Sequence, residues 1–140
     1  MELPIISCDL DGVLASWDHG TFDTIGPPIP GAKEFLRELS KVGRVVLCTC
    51  RMNSKLYDSK PIARLRAVIR DWLKKHDMQQ YISDIYTEQV KMWAACYIDD
   101  KAIHCDPEQD DDYFAFRETL CKVKAMCKNG KQCVNKGIIK

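Results

Sequence analysis

Between residues 5 and 98, short apolar runs alternate with stretches whose apolar residues recur at helical spacing, and no other feature narrows the fold as far. Residues 5–10 form an apolar run broken by Ser7 and Asp9, which predicts a buried strand. Ala32, Phe35, Leu36 and Leu39 then share one helical face, with Gly43 as a stop. A second buried strand is expected over 45–49. Ser59 and Pro61 open a helix carrying Ile62, Leu65, Ile69, Trp72 and Leu73 along one side. Third and fourth strands are expected over 82–86 and 94–98. A last helix gathers Tyr113, Phe116, Leu120, Val123 and Cys127, and its acidic start and lysine-rich end suit the helix dipole. Strands alternating with amphipathic helices imply a parallel sheet covered on both faces. The expected class is α/β, a three-layer α/β/α Rossmann-like arrangement. It forms one domain over 1–128, followed by a flexible tail over 129–140.

A chain of 140 residues is long enough to bury a core, and 46% hydrophobic with 29% charged residues excludes a disordered class. The formal net charge of +1 gives no global basic field for nucleic acid or membrane. No apolar stretch is long enough to cross a bilayer, and the opening MELPIISCDLDG lacks the basic region of a signal peptide. These features predict a cytoplasmic protein without a membrane partner. In that compartment the eight cysteines read as free thiols rather than disulfides. Cys8, Cys48 and Cys96 lie in apolar runs, and the Cys48–Cys50 and Cys121–Cys127–Cys133 spacings match no zinc pattern. His19, His76 and His104 show no ligand spacing either.

In parallel α/β sheets, ligands sit beyond the carboxyl ends of the strands. Asp9, Asp11, Thr49 and the Asp99–Asp100 pair all fall where expected strands end. Buried carboxylates need partners, and Mg²⁺ is a suitable one, a hard cation held by carboxylates and phosphate oxygens. Gly12 permits a tight turn and a close backbone approach. A bare D-x-D-G is more often a turn or cap, and YIDD alone reads as a strand-to-helix turn; together they supply four acids whose mutual repulsion a cation removes. Thr49 offers its hydroxyl and the neighbouring N–H groups to a phosphate oxygen. Lys91 offers a long-reach cation. Arg51 and Lys55 read as substrate-side anchors or as parts of a solvated loop.

The ordered set DLDGV at 9–13, Thr49 closing VVLCT, Lys91, and YIDD at 97–100 resembles the haloacid dehalogenase (HAD) superfamily of phosphotransferases. The resemblance runs over about residues 5–103. More narrowly, IGPPIPGAKEFLREL, T-x-R, IRDWLKKH and K-x-x-A-x-x-YIDDKAI are similar to small HAD-like predicted phosphatases of bacteria and phages. It implies an HAD-like sheet and a Mg²⁺-dependent phosphatase that forms an aspartyl-phosphate. Asp9 would be the nucleophile, and Asp11 general acid and then base. Thr49 would bind phosphoryl oxygens, and Lys91 would orient and neutralise. Gly12, Cys50 and Arg51 would lie on the substrate side. Mg²⁺ would be held by the Asp9 carboxylate, the Asp11 carbonyl and YIDD, with Asp100 direct and Asp99 direct or through water. Met92 stands where relatives often have proline, which puts the reach of Lys91 in question; Lys101 is a second candidate for its role.

The gaps between these motifs leave no room for a cap domain, and residues 17–30 suffice only for a small flap. A capless site suits a large or extended phosphorylated substrate, or one covered by a second subunit in an oligomer. Specificity would then come from Trp17, Asp18, His19 and the 51–60 loop. Competing expectations are a phosphoryl-transferring mutase, a regulatory HAD-like binding module without turnover, and a nucleic-acid end-processing phosphatase. The last would use Arg64, Arg66 and Arg70 with Lys55 and Lys60, which read more simply as a solvated helix face.

Overall fold

The computed structural model describes residues 2–16, 24–53, 61–109 and 112–128. Four short strands, β1 (Ile5–Cys8), β2 (Arg44–Leu47), β3 (Asp84–Ile85) and β4 (Cys96–Ile98), form one sheet in the order β3-β2-β1-β4. Every neighbouring pair is parallel. Helices α1 (Ala32–Val42) and α2 (Ile62–Lys75) alternate with the strands, so the chain is an α/β protein of Rossmann-like type, as the periodicity implies. The chain divides into two compact units, Met1–Asp100 and Lys101–Lys140. Helix α3 (Asp112–Lys128) belongs to the second and carries a Lys122–Glu118 pair one turn apart at 3.1 Å.

The strands are shorter than their apolar runs because only part of each run pairs regularly. Ser83 and Tyr86 still donate to the Val45 and Leu47 carbonyls at 2.7 and 2.8 Å, so the run over 82–86 does lie along β2. Ala95 donates to Ile5, and Asp9 to Ile98, both at 2.9 Å, extending the ladders at either end of β1 and β4.

One continuous core joins the sheet to both helices of the first unit. Cys8, Val45, Leu47 and Ile85 from the strands meet Leu36 from α1 and Leu65, Ile69 and Leu73 from α2. These helical positions are the ones the 3.6-residue period selects. The Gly43 N–H closes α1 onto the Leu39 carbonyl at 3.0 Å, and the chain re-enters the sheet at Arg44. β1 is followed outward by β2 and then β3, with α1 and α2 as the crossovers between them. The connection from β3 back to β4 reverses direction and has no helix.

That reversal positions the site. β1 leads on to β2 on one side and has β4 on the other, the switch in strand order at which parallel α/β sheets leave a crevice beyond the carboxyl ends. Asp9 follows β1 and Asp99 follows β4.

Candidate active site

The chain turns tightly after β1. The Leu10 carbonyl accepts from the N–H groups of Val13, Leu14 and Ala15, and Gly12 N–H donates to Ala15 at 2.8 Å. Gly12 has φ +85°, and a Cβ there would lie 2.5 Å from Oδ2 of Asp100. Glycine is therefore needed twice, for the left-handed backbone and for the close approach of the Asp100 carboxylate. The chain then runs outward through Ser16 and returns beside itself. Ser16 N–H donates to Pro27 and Ile29 N–H to Leu14, both at 2.8 Å. The Trp72 indole pins this return strand to α2 by donating to the Gly26 carbonyl at 2.9 Å.

Asp9, Asp99 and Asp100 converge at the crevice, each offering a carboxylate oxygen within 4.8 Å of the others. Asp9 is half-buried, and its Oδ1 accepts from Leu10 N–H at 2.8 Å. The donor set fits a hard divalent cation: ligands of octahedral Mg²⁺ at about 2.1 Å lie about 3 to 4.2 Å apart, so only small side-chain adjustments are required. Two thiols beneath the site register its negative charge. Cys8 is pushed up from 9.0 to about 12, first by burial and then by Asp9 and Asp99. Cys48 is also raised, mainly by burial with the same carboxylates adding, while a hydrogen bond with Ser7 opposes the shift.

Asp11 takes a different partner. Arg51 Nε donates to its Oδ2 at 2.7 Å and Arg51 Nη2 to its Oδ1 at 2.9 Å, a two-pronged pair. Arg51 Nη2 also donates to the Thr24 carbonyl at 2.9 Å. The Arg51 side chain is only 5% exposed and that of Asp11 14%. Arg51 therefore ties the turn after β2 to the loop after β1 and to the return strand. It is not simply a solvated loop residue. Thr49 is buried, and its Oγ1 accepts from Arg51 N–H at 3.2 Å, capping a short 3₁₀ turn over Cys50–Met52.

Lys91 lies in the helix-free connection before β4, its Nζ 5.0 Å from the centre of the Tyr97 ring. The Tyr97 hydroxyl donates to the Met92 carbonyl, and Met92 itself is buried. The position that lacks proline is thus held by packing and by Tyr97. Gln89 Nε2 reaches back to the Met52 carbonyl at 2.8 Å, joining this connection to the turn after β2. Trp17, Asp18, His19, Lys55, Ser59, Lys60, the Tyr113 side chain and the 129–140 tail lie outside the described residues. No described helix is long and apolar enough to cross a membrane.

Sequence reasoning anticipated the acidic convergence but missed two partnerships. One is the Arg51–Asp11 clamp, hinted at only by an arginine two positions after a strand-ending threonine. The other is Asp84, which receives Arg66 at 2.7 Å and Arg70 at 3.5 Å.

No family model and no curated protein matches the chain. A solved structure described as a conserved protein coded by a locus of Bacteroides thetaiotaomicron is similar over 94% of each chain, with a TM-score of 0.50 and 20% identity. At that identity the likeness bears on architecture: it supports the parallel α/β fold.

Proposed function

We propose that this chain is a Mg²⁺-dependent phosphomonoester hydrolase of the HAD type that accepts the phosphoryl group on Asp9. The observation that carries the reading is the meeting of Asp9, Asp99 and Asp100 at the crevice between β1 and β4. Asp9 is half-buried and Asp99 and Asp100 are exposed, and a cation held among the three carboxylates would relieve their mutual repulsion.

The Asp9 carboxylate attacks phosphorus, an Oδ–P bond forms and the ester P–O bond breaks. Water then attacks the same phosphorus, releasing phosphate and restoring Asp9. Thr49, beyond the end of β2, offers hydroxyl and backbone donors to the phosphoryl oxygens. Mg²⁺ held by Asp9, Asp99 and Asp100 would neutralise charge on those oxygens. Asp11 accepts a hydrogen bond from Arg51 on each of its two oxygens. In the hydrolytic half Asp11 would take the proton of attacking water. To donate to the leaving oxygen, Asp11 must first turn away from Arg51. Lys91 would approach the phosphoryl group by leaving the Tyr97 ring.

The same clamp favours a second reading, a binding module that holds metal and phosphate without turnover. Release of phosphate from an aryl phosphate, with Mg²⁺ or chelator, in the wild type and Asp9→Asn separates the two. The hydrolase reading expects metal-dependent turnover that the substitution abolishes. Tight binding of a phosphate mimic without turnover would favour the module.

A further inference from the structure

Along α2 lies a groove of about 570 Å³, lined by Ile62, Ala63, Arg66, Ala67, Arg70 and Thr87. Ala63 and Ala67, one turn apart, leave part of its floor low and apolar. Arg66 and Arg70, also one turn apart, direct Nη2 groups to a single oxygen, Oδ1 of Asp84. That oxygen already accepts from Ile85 N–H at 2.8 Å. One carboxylate thus faces two guanidinium groups, leaving the cluster a positive charge in excess. Arg66 Nε is shielded from solvent and has no acceptor among the described residues. Exposed ion pairs add little stability, and an orphaned donor subtracts from it, so stability alone accounts poorly for this cluster.

The sheet register relates the groove to Asp9. Ser7 is level with Val46 and Val46 with Asp84, while Cys8 is level with Leu47 and Leu47 with Ile85. Thr87, two residues beyond Ile85, therefore reaches the carboxyl edge at which Asp9 sits. The two positions are two strand spacings apart, about 10 Å.

We propose that this groove is a subsite for a second phosphate of the substrate, whose first phosphoryl group is taken by Asp9 two strands away. The inference rests on the hydrolase reading and gives it a substrate class, an extended molecule carrying at least two phosphates. The arginine forks match phosphate geometry, the Thr87 hydroxyl supplies a further donor, and the alanine floor accommodates an apolar linker.

The test compares hexyl phosphate with 1,6-hexanediol bisphosphate as competitors of aryl-phosphate hydrolysis by the full chain with Mg²⁺, each inhibition constant reading the affinity of its ligand. The wild type should prefer the bisphosphate by about tenfold, the value of one added charge-assisted contact. Arg66→Gln with Arg70→Gln should remove that preference and leave hexyl phosphate unchanged. Ala67→Glu, which puts a negative charge on the groove floor, should do the same without touching an arginine. Equal binding of the two ligands by the wild type, or a preference that survives both sets of substitutions, would overturn the subsite. Absence of aryl-phosphate hydrolysis would overturn the hydrolase reading as well. Hexyl phosphate binding without a bisphosphate preference would sink the subsite alone.

Discussion

Replacing Arg51 with methionine should be among the most damaging single changes in the described core. The guanidinium makes two hydrogen bonds to Asp11 and one to the Thr24 carbonyl, at 2.7, 2.9 and 2.9 Å. With side chains 5% and 14% exposed, neither charge has much water to fall back on. Removing one partner of such a buried pair leaves an uncompensated charge, which costs about 3 to 5 kcal/mol. That is a large part of the stability of an ordinary domain, about 5 to 15 kcal/mol. At a urea dependence of about 1 to 3 kcal/mol per molar, the unfolding midpoint should fall by roughly 2 M. Pairing Arg51→Met with Asp11→Leu should recover much of the loss, because an apolar pair of similar volume avoids the stranded charge. Circular dichroism during urea unfolding of the wild type, both single variants and the double variant closes the cycle. A loss below about 1 kcal/mol for Arg51→Met, the range of an exposed pair, would refute the reasoning. So would a double variant whose loss equals the sum of the single losses.

Gly12→Ala should destabilise the chain by about 1 to 2 kcal/mol through left-handed strain alone. It should also weaken Mg²⁺ binding, since the new Cβ displaces Asp100; melting with and without Mg²⁺ reads both effects. Saturating Mg²⁺ at 100 times its dissociation constant should stabilise the wild type by about 2.7 kcal/mol, and Asp100→Asn should lose most of that increment in the same melts. Cys8, raised to about 12, keeps its proton in the folded state when the unfolded thiol at 9.0 has lost it. Its contribution to stability is therefore full below pH 9 and declines as pH rises towards 12. Unfolding measured across that window should show a shallower decline in Cys8→Ala, and iodoacetamide at pH 8 should modify exposed Cys50 before buried Cys8.

The parts of this molecule legible in the sequence are those set by local pattern and topology. Of the α2 face that the 3.6-residue period identified, Leu65, Ile69, Trp72 and Leu73 are buried and Ile62 partly so, whereas Phe35, picked by the same period on α1, is exposed. The rule that strand ends face one edge brought Asp9 together with Asp99 and Asp100 across about 90 residues of chain. Strand lengths were less legible, because an apolar run signals burial while regular pairing depends on the neighbour. Residues 82–86 supply only the two-residue β3, although Ser83 and Tyr86 still bond to β2. Arg51 was the least legible residue. Nothing local distinguishes an arginine reaching for substrate from one folded back onto Asp11, 40 positions away. Lys91 poses the same difficulty, since its place over Tyr97 depends on a connection without helical or strand periodicity.

The most direct test of the central claim is to trap the phosphorylated protein. The full chain is mixed with an aryl phosphate and Mg²⁺, quenched with borohydride, and mapped by mass spectrometry. An acyl phosphate is reduced to the alcohol, so the account predicts homoserine in place of Asp9, dependent on Mg²⁺ and substrate. Turnover in the same mixture with Asp9 unmodified, or with the reduced residue elsewhere, would contradict it.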